Sequence, residues 1–134
     1  MTCVLFTKKP TQKQRAVYEL VLAAQTCAIK KLRAGVTGKY ADSCARNVIA
    51  QAGYGPYFGH SLGHGVGLDI HELPNLSQKY NQKIPAGSVV TVEPGVYLAG
   101  EFGIRLEDML VVTKNGAVNL TKSPKELAHC IINI

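Results

Sequence analysis

Apolar residues recur at three- and four-residue steps through the first third of the chain: Val17, Leu20, Val21, Ala24, Ala28 and Leu32. That spacing predicts one helix with a single apolar stripe. Thr11 stands ahead of it with Gln14 three residues on, a capping-box pair. Lys30, Lys31 and Arg33 crowd its far end, where cations suit the negative pole of the helix dipole, and Gly35 closes it. Ala41, Cys44, Ala45, Val48 and Ile49 predict a second helix, capped by Thr37 and ended by Gly53. Joined by a short connector, the two amphipathic helices should form an antiparallel pair that packs against something flat.

Elsewhere the period shortens to two. Residues 2–7 alternate weakly and predict a short strand, and Ser88 to Glu93 a firmer one. Pro94-Gly95 bends the chain, after which Val96 to Leu98 and Ile104 to Val112 read as strands joined across residues 99–103. Asn115-Gly116 is a tight-turn dipeptide that returns the chain as a strand over Ala117 to Leu120. Between Pro74 and Gly87 the residues are polar and irregular, so a surface loop is expected there. Helices followed by antiparallel strands give an α+β class, a mainly antiparallel sheet carrying two helices, in one domain over residues 1–134.

Composition narrows the function classes. The chain has 134 residues, 46% hydrophobic and 18% charged, which suits a globular protein with an ordinary core. No apolar run approaches the ~20 residues of a membrane span, and the first residues lack the apolar core of a signal peptide. Four scattered cysteines with no Cys-x-x-Cys pair read as buried free thiols, Cys27 and Cys44 as part of the core. A cytoplasmic location is the resulting expectation. The net charge of +6 is uneven, with +7 over residues 1–46 and −1 over the remainder. Without aromatic interleaving the basic third reads as a solvated helix surface, so no membrane and no nucleic-acid partner is expected.

The chemistry concentrates in Gly59-His60-Ser61-Leu62-Gly63-His64-Gly65-Val66-Gly67-Leu68-Asp69-Ile70-His71-Glu72, where three of the four histidines are interleaved with four glycines. So much glycine suits neither strand nor helix and marks a backbone bent tightly or approached closely. Downstream, Glu93 and Glu107 stand among apolar residues. Strand alternation puts Glu93 on one face with Val89 and Thr91, and Glu107 on one face with Arg105, Met109 and Val111. A buried carboxylate needs a cation, either a basic side chain such as Arg105 or a metal. Taken singly, these residues fit a buried ion-pair network and a hydrogen-bonded interior histidine. Together, one imidazole and two carboxylates form a natural set for Mn²⁺, Co²⁺ or Zn²⁺.

Two other motifs fail. His60 and His64 are four apart, but serine follows His60 and Gly63 interrupts the helix that a His-Glu-x-x-His site requires. Ser61 falls within Gly-x-Ser-x-Gly without a strand before it or a helix after it, so a serine nucleophile is not supported.

Gly63-His64-Gly65-Val66-Gly67, His71-Glu72, Val92-Glu93-Pro94-Gly95-Val96-Tyr97 and Gly103-Ile104-Arg105-Leu106-Glu107-Asp108 resemble, in kind, order and spacing, the "pita-bread" metallopeptidases: methionine aminopeptidase, aminopeptidase P and proline dipeptidase. The double-histidine form Gly-His-x-Leu-Gly-His and the Arg-x-Glu-Asp ending look most like the proline-dipeptidase and aminopeptidase P branch. The resemblance covers nearly the whole chain and implies the C-terminal half of a pita-bread fold. It implies hydrolysis of the peptide bond before proline, in an Xaa-Pro dipeptide or peptide, by two divalent metal ions (Mn first, Co or Zn otherwise). Those ions, roughly 3.5–4 Å apart, would hold a bridging hydroxide and polarise the scissile carbonyl. Carried over by position, His64, Glu93 and Glu107 would be metal ligands, Glu107 bridging, with Glu93 also handling the proton. His60 and His71 would line the substrate site, and Arg105 would orient the acids.

The family's site needs two more ligands, aspartates about ten residues apart, the second just before x-Thr-Arg. This sequence opens Met1-Thr2-Cys3, with cysteine in the arginine's place, and Asp42 and Asp69 lie in other contexts. The expectation is a partial catalytic domain with weak metal affinity and little or no activity alone. A homodimer covering the uncovered surface is a further expectation. The competing class is a non-catalytic pita-bread module that binds protein or nucleic acid.

Overall fold

Thr11 caps the first helix as its neighbours predict: its hydroxyl accepts the Gln14 N–H, and the Gln14 side chain accepts the Thr11 N–H in return. In the computed structural model, which describes residues 1–132, this helix (α1) runs Gln12–Lys31. The second (α2) runs Gly38–Gln51, with Thr37 as its cap and Gly53 at φ +84° just past its end. The two pack on each other through the predicted stripes, burying Val17, Val21, Ala24, Ala28, Ala41, Ala45 and Ile49.

Among the described residues seven strands follow: β1 Gly63–Gly65, β2 Glu72–Leu76, β3 Val89–Val92, β4 Gly95–Leu98, β5 Phe102–Arg105, β6 Asp108–Val112 and β7 Ala117–Asn119. Five of them form an antiparallel sheet in the order β2-β1-β3-β6-β7, and β4 pairs with β5 in a second, two-stranded sheet. Val90, Val92, Val96, Ile104, Leu106, Leu110 and Val112 are all buried and join the helix stripes in one core. By strand alternation, Thr91, Glu93, Arg105 and Glu107 belong to the opposite face. The α+β class and the helices-on-sheet arrangement are thus as predicted.

Four local expectations are corrected. Residues 2–7 form no strand: Phe6 makes an isolated bridge to Ile131 and the Thr2 carbonyl accepts the Glu107 N–H, contacts to two different neighbours that do not join into a ladder. The single strand expected over 104–112 is two strands in two sheets, interrupted at Leu106-Glu107. The expected loop after Pro74 begins as strand β2, whose Leu76 is buried against the core, and Ile84 is buried beyond it. The cysteines are all free as expected, but Cys3 is exposed and Cys27 only half-buried.

Candidate metal centre

Within the glycine-histidine segment only Gly63–Gly65 is strand before Glu72 opens β2, with bends at residues 67–71, and the glycines of β1 are the reason it can be one. β1 is squeezed between β2 and β3. A Cβ on Gly63 would stand 2.0 Å from the Thr91 carbonyl oxygen, and one on Gly65 2.3 Å from that of Leu73. At Gly63 and Gly65 close approach, not a tight bend, is what the glycine provides. His64 between them is thereby held beside β3.

Its imidazole is fixed by two contacts. Nδ1 lies 2.9 Å from the Gly65 carbonyl oxygen, which only accepts, so Nδ1 carries a hydrogen. Nε2 then faces Glu93 Oε1 at 3.1 Å. In the neutral ring Nε2 is a lone pair, so two acceptors converge and call for a positive group between them, a proton or a metal ion. Thr91 locks the pair: its hydroxyl donates to Glu93 Oε1 at 3.0 Å and accepts the His64 N–H at 3.1 Å.

Glu107 joins this pair indirectly. Its Oε2 accepts the Thr2 hydroxyl at 2.5 Å, and that hydroxyl accepts from Arg105 Nε and Nη2 at 3.3 and 3.1 Å. Arg105 Nε also lies 3.9 Å from Glu93 Oε2. The guanidinium therefore reaches Glu107 through Thr2 rather than as the direct ion pair that was the ordinary alternative. His71 is exposed, with its ring centroid 4.2 Å from that of His64. His60 sits edge-on to Tyr97 and Phe58 at 5.7 and 5.0 Å, with Nδ1 on the Ser61 carbonyl and a buried Nε2 that has no hydrogen-bond partner among the described residues.

As donors, one imidazole nitrogen and two carboxylates suit a borderline-hard divalent ion. Among the described residues, however, no three His, Cys, Asp or Glu side chains converge closely enough to hold one. The donors have the right chemistry, and the set does not close.

Three supporting residues carry no sequence motif. Asp42, fully buried on α2, accepts the Leu62 N–H at 3.0 Å and a two-pronged bond from Arg46 at 2.6 and 3.0 Å. Arg46 also donates to the Phe58 and His60 carbonyls and stacks on the Phe58 ring at 4.1 Å, pinning the segment that carries His60 to α2. Gln25, buried on α1, donates to the carbonyls of Val92 and Leu106, the residues preceding Glu93 and Glu107. Its place in the apolar row between Val21 and Ala28 was the available signal: a polar residue on a buried stripe needs partners.

Against known proteins, residues 1–114 match the family described as "Metallopeptidase family M24". An Xaa-Pro dipeptidase from Pyrococcus horikoshii is 47% identical over 127 residues, covering 95% of this chain and 36% of that protein. Among solved structures, an Xaa-Pro dipeptidase from Bacillus anthracis superposes with a TM-score of 0.92 at 44% identity, over 96% of this chain and 36% of that one. An X-Pro aminopeptidase from Thermotoga maritima gives 0.90 at 44% identity, over 97% of this chain and 36% of that one. The chain therefore spans about a third of the length of the relatives it matches.

Proposed function

On the premise that this chain belongs to metallopeptidase family M24, we propose that it contributes part of the catalytic centre of an enzyme that hydrolyses the bond before proline, as an Xaa-Pro dipeptidase or aminopeptidase. The observation that carries this reading is the convergence of His64 Nε2 on Glu93 Oε1 at 3.1 Å, two acceptors in need of a cation.

His64, Glu93 and Glu107 would hold metal, with Mn²⁺ first and Co²⁺ or Zn²⁺ as alternatives. When bound, the ions supply Lewis-acid polarisation and a nucleophile available at neutral pH. The chain's own residues do the rest. Thr91 and Arg105 orient the Glu93 carboxylate, and Thr2 and Arg105 that of Glu107. Exposed His71 stands where an incoming substrate can reach it, and His60, with its Nε2 buried beside Tyr97, would line the same site. The two further aspartate ligands that the family resemblance implies would then come from outside this chain. Alone, the chain is expected to bind metal weakly and to have little peptidase activity. Four free thiols suit a reducing, cytosolic setting, and a homodimer would cover surface left open by the missing part.

The test compares the isolated chain with a parent protein extended upstream, each assayed on an Xaa-Pro dipeptide with Mn²⁺ or Co²⁺. Activity in the parent alone is expected. Full activity in the isolated chain would refute the incomplete site, and an inert parent with both aspartates in place would refute the peptidase reading. Light scattering at micromolar concentration decides the dimer: a monodisperse monomer counts against it.

A further inference from the structure

Glu93 and Glu107 face each other across an interrupted hairpin. Val92 pairs with Asp108 and Gly95 with Arg105 in one and the same antiparallel register, so continuing it through the gap sets Glu93 opposite Glu107 and Pro94 opposite Leu106. The backbone agrees: Leu106 N–H donates to the Pro94 carbonyl at 3.3 Å, while the N–H groups of Glu93 and Glu107 turn outward to the carbonyls of Leu62 and Thr2 at 2.8 and 2.9 Å. The two glutamates thus occupy a non-hydrogen-bonded position, where side chains across an antiparallel pair stand closest. Like charges placed directly opposite repel, so this pair does nothing to hold the strands together.

The neighbouring pair is weakened as well. In an antiparallel ladder Leu106 would receive a return bond from the N–H of residue 94, but that residue is proline and has none. Leu106 is 1% exposed, so water does not readily replace the missing donor. Gln25 does. Its Nε2 lies 3.1 Å from the Leu106 oxygen and 3.1 Å from the Val92 oxygen, using both amide hydrogens. The helix that carries it is anchored by buried Val21, Ala24 and Ala28.

We propose that Gln25 is a positioning residue of the candidate centre: by bridging the carbonyls that precede Glu93 and Glu107, it sets the separation of the two backbone segments on which those carboxylates are mounted. The proposal rests on the metallopeptidase reading only in naming the two glutamates as ligands. A purely structural Gln25 would contribute stability and leave the carboxylates where they are.

The experiment follows the side-chain carboxyl ¹³C resonances of Glu93 and Glu107 by NMR in the metal-free chain. Wild type is compared with Gln25→Met, which keeps the length and removes both donors, and with Val21→Ala, a core loss on the same helix. The expected result is a shift of both resonances in Gln25→Met and neither in Val21→Ala. Unmoved resonances in Gln25→Met, or equal movement in Val21→Ala, overturn the proposal. Should Gln25→Met not fold, Gln25→Asn, one methylene too short to span both carbonyls, carries the same expectation and the same refutation. A second arm adds Mn²⁺, which should broaden both resonances in wild type and bind roughly 10–100-fold more weakly in the variant. If Mn²⁺ broadens neither resonance in wild type, the ligand assignment fails, and the metal-free comparison still decides the role of Gln25.

Discussion

His64 commits its Nδ1 hydrogen to the Gly65 carbonyl and turns its Nε2 toward Glu93 Oε1, 3.1 Å away. The backbone of β1 thus selects the tautomer, and the selected tautomer aims a lone pair at a carboxylate. If the proposed metallopeptidase reading holds, Glu93→Gln in the longer parent protein should lower kcat/KM by more than about 100-fold, since loss of a ligand should exceed the 10–100-fold typical of its supporting partners. Steady-state kinetics with metal content measured alongside checks this. A variant within a factor of ten of wild type would remove Glu93 from the centre.

Asp42 and Arg46 form a buried pair with side chains 1% and 17% exposed. Removing one partner leaves a charge in a poorly solvated place, which costs about 3–5 kcal/mol. Asp42→Ala also strips the Leu62 N–H of its acceptor, so it belongs at the upper end of that range. Arg46→Lys keeps the charge but loses the fork and should remain clearly destabilised. Urea unfolding measures both, and a loss below about 1 kcal/mol for Asp42→Ala would contradict the account.

Gly63 and Gly59 lie four residues apart in sequence and differ in what surrounds them. A methyl on Gly63 would meet the Thr91 backbone oxygen at 2.0 Å, whereas one on Gly59 meets nothing within 4 Å. Gly63→Ala should therefore cost about 1–3 kcal/mol or more, because strands must part to admit it. Gly59→Ala should stay within about 0.5 kcal/mol of wild type. Equal effects from thermal melts would show that close approach is not what the glycine is for.

Tyr18 is buried, with its hydroxyl 3.0 Å from the Lys125 carbonyl and 3.1 Å from Cys130 Sγ. Burial first, and then the Cys130 thiol, hold its phenol well above the usual tyrosine range. Above about pH 10 the unfolded chain releases this proton and the folded one retains it, so stability is present below that pH and falls as pH rises beyond it. Tyr18→Phe should be less stable than wild type at pH 8, having lost its hydrogen bonds, and the gap should narrow at pH 10.5. A gap that widens would reverse the sign of the linkage.

What the sequence determines by itself is the local part of this structure. The Thr11–Gln14 box, the Thr37 cap, both helix stripes and the Asn115-Gly116 turn depend on residues within a few positions of one another, so their signals are written contiguously. The alternation that puts Arg105 and Glu107 on one face survives the strand break at Leu106-Glu107, because side-chain direction follows the extended backbone rather than the ladder. The double histidine, Glu93 and Glu107 were legible as candidates for the same reason: each sits in a short, chemically unusual motif.

Tertiary structure alone decided how those candidates meet. That β1 is a strand follows from its neighbours β2 and β3, whose carbonyls need the space a side chain would fill. The acceptors of Gln25 lie 67 and 81 positions away, and the Leu62 N–H that Asp42 receives lies 20 away. Which backbone groups are left without a ladder partner depends on where distant strands pair and where a proline interrupts them. A buried polar side chain in a helix announces that it needs partners; only the assembled sheet says which ones.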